Sequence, residues 1–455
     1  MEMVLEFLRD VLSQPALLIG IMSCIGLIAL KRPFHKVMTG TLKPILGYLM
    51  LAAGAGVIVN NLDPLGKMIE HGFHITGVVP NNEAIVAVAQ KVLGVETMSI
   101  LVVGLLMNLC IARFTKFKYV FLTGHHSLFM ACLMSAVLGT AGLSGMELIL
   151  VGGFLMGAWS AISPAIGQSY TSKVTDGDEI AIGHFGSLGY YLSAWVAKYV
   201  GKADDSTEDI EIPEKWGFLR DSTLSTALTM IVFYLIAALA AGSEFVATLS
   251  GSMSPYLFAV MSAMNFAVGV TIVYSGVRMI LGDLIPAFQG IATKIIPNAI
   301  PAVDCAVFFT YAPTAVVLGF ISSFIGGIIG MLILGAVGGV LIIPGLVPHF
   351  FCGATAGIYG NATGGRRGAA VGAFLNGLAI TFLPALALPV LGQLGFQNTT
   401  FGDADFAVMG LVLGHAFEWI GMAGIYGIVA IAALVLIIPN FIKTKGKVIN
   451  YVEEE

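Results

Sequence analysis

Long apolar stretches follow one another along this chain with few polar interruptions. The clearest are residues 15–30, 42–60, 97–112, 119–143, 146–168, 180–199, 223–242, 256–281, 304–345, 367–394 and 407–441. A helix crossing a bilayer needs roughly 20 apolar residues. The pattern therefore predicts an all-α polytopic membrane protein with about eleven crossings. The stretches 304–345 and 407–441 are each long enough for more than one element.

Two runs are short and interrupted. Residues 78–93 open on Pro80 and a polar triplet ending in Asn82 and Glu83, and residues 346–364 carry Pro348 and His349 among small residues. Both read as re-entrant hairpins, whose backbone must line a cavity or be covered by protein. Broken segments of this kind, one in each half, point to a central substrate site. Between the halves lies the one long soluble stretch, 201–221, rich in Asp and Glu. It reads as a cytoplasmic linker or as a docking surface for a cytosolic partner. The whole of 1–455 is expected to form one integral-membrane unit.

Composition sharpens this picture. Apolar residues make up 57% of the chain and charged residues 11%, with a mean hydropathy of +0.91. A soluble domain carries about 25% charged residues, so hydrocarbon is the solvent that fits. The 56 glycines suit closely packed transmembrane helices. Five cysteines lie in apolar surroundings without a CxxC pair, so they read as small hydrophobes and no metal or disulfide use is expected. No phosphate-cradling GxxxxGK[ST] loop is present, which argues against ATP as an energy source carried by this chain. No cofactor and no nucleic-acid partner is expected.

Basic residues set the orientation. Lys31, Arg32, Lys36 and Lys43 follow the first stretch, Arg113, Lys116 and Lys118 the third, and Lys443, Lys445 and Lys447 lie near the C-terminus. Facing these to the cytoplasm puts the N-terminus outside and the C-terminus inside.

Ionisable groups at membrane depth are costly and mark function. Five places qualify: Asn82 with Glu83, His125 with His126, His184, Asp304, and His415 with Glu418. A polyhydroxylated cargo brings many donors and acceptors, each needing a partner once it leaves water. Asn82, Glu83, His125, His184 and Asp304 supply carboxylates, an amide and imidazoles from four elements. Asp304 is the candidate general base for a hydroxyl attacked on phosphorus. His126 and His415 show no convergent partner in the sequence and read more readily as packing residues.

The stretches SKVTDGDEIAIGH (172–184), YSGVRMILGDLIPAFQGIATKIIPNAIPAVDCAVFFTYAPTAVVLGF (274–320) and LIIPGLVPHFF (341–351), with TGHHSLF and GGRRGAA, resemble the ascorbate family of phosphotransferase enzyme IIC proteins. The resemblance runs nearly end to end. It implies a homodimer in the cell inner membrane, with a core domain carrying the sugar and a V-shaped dimerisation domain. The core would move like an elevator, and the sugar would be phosphorylated by enzyme IIB through a phosphocysteine, with enzyme IIA upstream. It places His125, His184 and Asp304 in the substrate site, with Asn82 and Glu83 on the hairpin. It also places Phe185, Phe129 and Ala55 at or near positions where the family has polar contacts, and Asn82–Glu83 where it has a Thr-Tyr pair. The expected cargo is L-ascorbate or a related sugar or alditol. A proton- or sodium-coupled secondary transporter of a small polar solute is the alternative.

Overall fold

The computed structural model describes residues 11, 14–74, 77, 78, 80, 82–177, 180–210, 222–392 and 400–441, while some helical side chains, those of 83–92 among them, lie outside the description. The helices are α1 (Pro15–Ala29), α2 (Phe34–Phe73), α3 (Asn82–Phe114), α4 (Gly124–Thr140), α5 (Gly145–Ile166), α6 (Gln168–Val174), α7 (Ser187–Val200), α8 (Ser222–Ala241), α9 (Ser243–Ser250), α10 (Pro255–Lys294), α11 (Pro313–Ala336), α12 (Leu346–Gly392), α13 (Ala404–Ile420) and α14 (Met422–Ile437). Among the described residues, 7 helices are long and apolar enough to cross a membrane, or 8 if the bent pair α8–α9 is one span. This is a multi-pass, mainly helical membrane protein.

The apolar stretches are not all spans. The run 180–199 contains a two-residue strand and most of the 14-residue α7, and 119–143 contains a strand followed by the 17-residue α4. The run 304–345 yields one full-length helix, α11, between a 3-10 turn (Cys305–Thr310) and non-helical residues 337–345. The run 407–441 does hold two helices, α13 and α14, separated at Gly421.

The long helices α2 and α10, of 40 residues each, pack through glycine. A Cβ on Gly47 would lie 2.9 Å from the Gly276 carbonyl, and one on Gly54 would lie 2.8 Å from the Gly269 carbonyl. Two glycines seven residues apart thus face two glycines seven apart in reverse order. Small residues at this repeat let antiparallel helices approach closely in lipid, where apolar burial alone gives little drive.

The structure also departs from a purely α fold. Strands β1 (Tyr119–Phe121), β2 (Ala181–Ile182) and β3 (Ile300–Val303) form a parallel sheet in the order β1-β3-β2. A sheet edge exposed to hydrocarbon would leave backbone groups unpaired. Asn108 pairs with part of the β1 edge, accepting from Phe121 N–H at 3.0 Å and donating to the Tyr119 carbonyl at 3.2 Å.

The second interrupted segment, 346–364, is not a hairpin by itself but the first arm of one that turns at Gly365. Run straight, α12 would be 47 residues long, about 70 Å, against a hydrocarbon core of about 30 Å. At Gly365 the backbone takes φ 60° and ψ −151°, a region open essentially to glycine alone. The chain folds back there, since a Cβ on Gly360 would lie 3.0 Å from Ala369 Cα. In a straight helix those residues stand roughly 13 Å apart. The first segment breaks too, at Leu93 (φ −135°, ψ 39°).

The described part of the acidic stretch, residues 201–210, is more than a linker. It packs on the tip of the α12 hairpin. Arg366 N–H donates to the Asp205 carbonyl (2.7 Å), its Nε lies 3.2 Å from Asp205 Oδ1, and Asn361 Oδ1 accepts from Thr207 N–H (2.8 Å). Glu208 accepts from Thr314 and Ala315 N–H (3.0 and 3.1 Å), capping the start of α11. Residues 211–221 lie outside the described residues. In the basic loop before β1, Lys118 Nζ donates to the Ala112 carbonyl (3.0 Å) and so stabilises the end of α3.

Candidate functional site

The three strands run parallel, so their C-terminal ends share one side. Asp304 follows β3 directly, His184 follows β2 after Gly183, and His125 opens α4 after β1. Gly183 must be small, because a Cβ there would collide with the Ala302 carbonyl of β3. Three residues far apart in sequence thereby meet at one edge of the sheet.

They line a cavity of about 1200 Å³. Asn82, from the first broken helix, and Ala55 and Phe129 line it as well. Phe185 is buried behind this lining, its ring stacked on Phe121 at 4.6 Å. Glu83's side chain lies outside the described residues. His415 and Glu418 pair with each other at 3.0 Å on an exposed face and do not reach the cavity.

His125 links the two sides of the cavity. Its Nδ1 lies 3.3 Å from Tyr48 Oη on α2, and its Nε2 lies 3.4 Å from Asp304 Oδ2. The other Asp304 oxygen accepts from Ala306 N–H (3.0 Å) and caps the 3-10 turn. The carboxylate is thus fixed by its own backbone.

His126 belongs to the site, contrary to its reading in the sequence. It lines the cavity, its ring stands 3.8 Å from that of His184, and Phe185 N–H donates to its Nδ1 (3.3 Å). Gly186 N–H donates to Nδ1 of His184 (3.2 Å), and Tyr190 Oη lies 2.8 Å from the same nitrogen. In a neutral ring whose Nδ1 accepts, the proton sits on Nε2. His126 and His184 are therefore both held as Nε2–H donors.

Sequence reasoning also passed over residues 400–405. Asp403 Oδ2 accepts from Asn82 Nδ2 (2.6 Å), its Oδ1 accepts from Cys352 Sγ–H (2.7 Å), and Gly402 N–H donates to Asn82 Oδ1 (2.9 Å). This segment joins the tip of the first broken helix to the first arm of the α12 hairpin. Asp405 is fully buried and holds the start of α7 beside His184. It accepts from Ser187 Oγ–H (2.8 Å), Leu188 N–H (2.9 Å) and Trp159 Nε1–H (3.2 Å). Cys352 is therefore a hydrogen-bonding partner rather than an inert hydrophobe, and Cys110 is exposed rather than buried.

Among the described residues, two groups of side chains stand close enough to hold a metal ion: His184 with Asp304 and Cys305, and His184 with Cys352 and Asp403. His184 Nδ1 already accepts two hydrogen bonds, and the Cys352 proton is directed at Asp403. Ligation would require His184 to lose its Nε2 proton or those bonds, and Cys352 to ionise. The arrangement suits hydrogen bonding to a polyhydroxylated guest better, with carboxylates accepting and imidazoles donating.

Residues 10–405 match the family EIIC-GAT, described as the sugar-specific permease component of the phosphotransferase system (PTS). The ascorbate-specific PTS system EIIC component of Mycoplasma pneumoniae is 28% identical over 417 residues, a match that covers 78% of this chain and 62% of that protein. This chain thus spans less than two thirds of that relative's length.

Proposed function

The chain belongs to the PTS sugar-specific permease family, and from that premise we propose that it binds a small sugar in the cavity and carries it across the cell inner membrane as the IIC unit. The observation that carries this reading is the convergence of His125, His184 and Asp304 at one sheet edge facing a single cavity. The cargo is L-ascorbate or a related sugar or alditol, in keeping with the name of the mycoplasmal relative.

In this proposal the cargo travels by an elevator motion of a core domain against a dimer scaffold of two copies. Enzyme IIB, recharged by enzyme IIA, then phosphorylates it from a phosphocysteine. A substrate hydroxyl attacks phosphorus, the S–P bond breaks as the O–P bond forms, and Asp304 takes the hydroxyl proton. Ala55 and Phe129 form cavity wall, and Phe185 acts from behind it. The basic clusters, faced to the cytoplasm, put the N-terminus outside and the C-terminus in the cytoplasm across an odd number of crossings. A cysteine placed at position 445 should therefore resist labelling from outside intact cells.

The Tyr48–His125–Asp304 chain motivates a second reading, a proton-coupled transporter. Proteoliposomes separate the two. With phosphorylated IIB as the phosphoryl donor, labelled sugar should accumulate only as its phosphate ester. Accumulation of unmodified sugar, driven by a proton or sodium gradient alone, would overturn group translocation.

A further inference from the structure

A buried carboxylate stands behind the histidines, and the chemistry proposed above does not use it. Asp405 lies in the first turn of α13 with 0% relative exposure, and it does not line the cavity. Three donors from two other helices converge on its oxygens: Trp159 Nε1–H of α5 (3.2 Å), and Ser187 Oγ–H (2.8 Å) and Leu188 N–H (2.9 Å) at the start of α7. A carboxylate at the first turn of a helix is also favoured by the helix dipole. The backbone adds a bond in the other direction, because Asp405 N–H donates to the Phe185 carbonyl (2.9 Å). Asp405 thus grips the turn 185–188 at both of its ends.

That turn carries the two N–H groups that meet the neighbouring imidazoles. Phe185 N–H donates to His126 Nδ1 and Gly186 N–H to His184 Nδ1. A backbone N–H can only donate, so each Nδ1 is the bare nitrogen of its neutral ring and the proton sits on Nε2. Tyr190 Oη, beside the same His184 nitrogen, can donate or accept and does not by itself choose the tautomer. The two backbone bonds are long, at 3.3 and 3.2 Å, so a small shift of the turn would break them. With the turn released, Nδ1–H of His184 could donate to Tyr190 Oη, and its Nε2 would become an acceptor.

We infer that Asp405 is a positioning residue for cargo binding. By holding the turn 185–188 it sets His126 and His184 as Nε2–H donors, and it never touches the cargo itself. This rests on the sugar-site reading above and deepens it, adding what gives the polar side of the cavity its donors.

The purified full chain, carrying isotope-labelled histidine and reconstituted in lipid without sugar, tests it. Nitrogen magnetic resonance reports which ring nitrogen is protonated, and His126→Gln and His184→Gln assign the two rings. The parent should show a bare Nδ1 in both. Asp405→Asn keeps the side chain's shape but turns an amide N–H toward groups that donate. It should bring in the Nδ1–H tautomer in at least one of the two rings and leave His415, outside the cavity, unchanged. By calorimetry it should also bind about tenfold more weakly whichever of L-ascorbate, xylitol and galactitol the parent binds, the worth of a hydrogen bond lost at a buried group. If the Asn variant does not fold, Ser187→Ala removes one donor from the same grip, with the same tautomer change expected. Unchanged tautomers in a folded variant would overturn the inference and leave Asp405 as a packing residue. Changed tautomers with unchanged affinity would overturn its role in cargo binding. No binding of any of the three by the parent would instead remove the sugar-site reading, while the unliganded spectra still decide whether Asp405 sets the rings.

Discussion

The two long walls of the cavity differ in kind. One wall is made by the sheet edge, the start of α4 and the segment 400–405. It carries His125, His126, His184, Asp304 and Asp403. The other is made by α2 and α8, and opposite the histidines it presents Leu51, Ala55, Leu62, Phe233 and Ala237. Tyr48 reaches across from it to His125, and farther along α2 the cavity is also lined by Asp63, Lys67 and Glu70. The polar wall is held by backbone: strand pairing, N–H groups donating to side chains, and a glycine-only turn in the hairpin behind it. The apolar wall is two helix faces. Binding one wall firmly while the other stays smooth is what a carrier needs if cargo and polar wall are to move together past a fixed face. That asymmetry supports the elevator proposal.

The hairpin behind the polar wall offers the largest effect. Gly365→Val places a side chain at φ 60° and against the Asp205 and Lys202 carbonyls. The loss should exceed about 3 kcal/mol. A detergent-solubilised variant should show no monodisperse species, and a normal melting temperature would contradict the hairpin geometry. A smaller effect belongs to the clamp on that hairpin. Glu208→Ala removes the acceptor for Thr314 and Ala315 N–H and should lower stability by about 1 kcal/mol. It should leave sugar-binding stoichiometry intact, and thermal melts with and without ligand check both points. The smallest effect lies on the apolar wall. Ala55→Ser adds a hydroxyl to a helix face where it can bond its own backbone. Sugar affinity should change by less than about threefold, and a much larger change would show that this wall binds cargo directly.

Much of this asymmetry could be read from the chain. His125, His184 and Asp304 stood out because an ionisable group in an apolar run is costly. The breaks near residues 80 and 350 stood out because Pro and polar residues interrupt runs too short to span. The sheet did not, since strands of two to four residues carry no periodicity to detect. Without it nothing in the sequence says why those three residues meet. The sequence alone shows no convergent partner for His126. At the first turn of α4, next to the sheet edge, both histidines still reach the cavity. Asp403 and Asp405 sat in a polar stretch between two apolar runs and looked like an ordinary loop. Only their partners, Asn82, Cys352, Ser187 and Trp159, reveal them. Cys352 reads as a hydrophobe in the sequence because its surroundings are apolar and no CxxC pair is present.

The most direct test of the polar wall as the cargo site is Asp304→Asn in a purified IIA/IIB/IIC system. The variant keeps the shape and loses the charge. Its unliganded melting temperature should stay close to that of the parent. Sugar binding should weaken by about 1–3 kcal/mol, the worth of a hydrogen bond to a buried charged group. With Asp304 as the base, phosphorylation should also fall about a hundredfold at saturating sugar. Normal binding together with normal phosphorylation would contradict the account and leave Asp304 as the cap of a 3-10 turn.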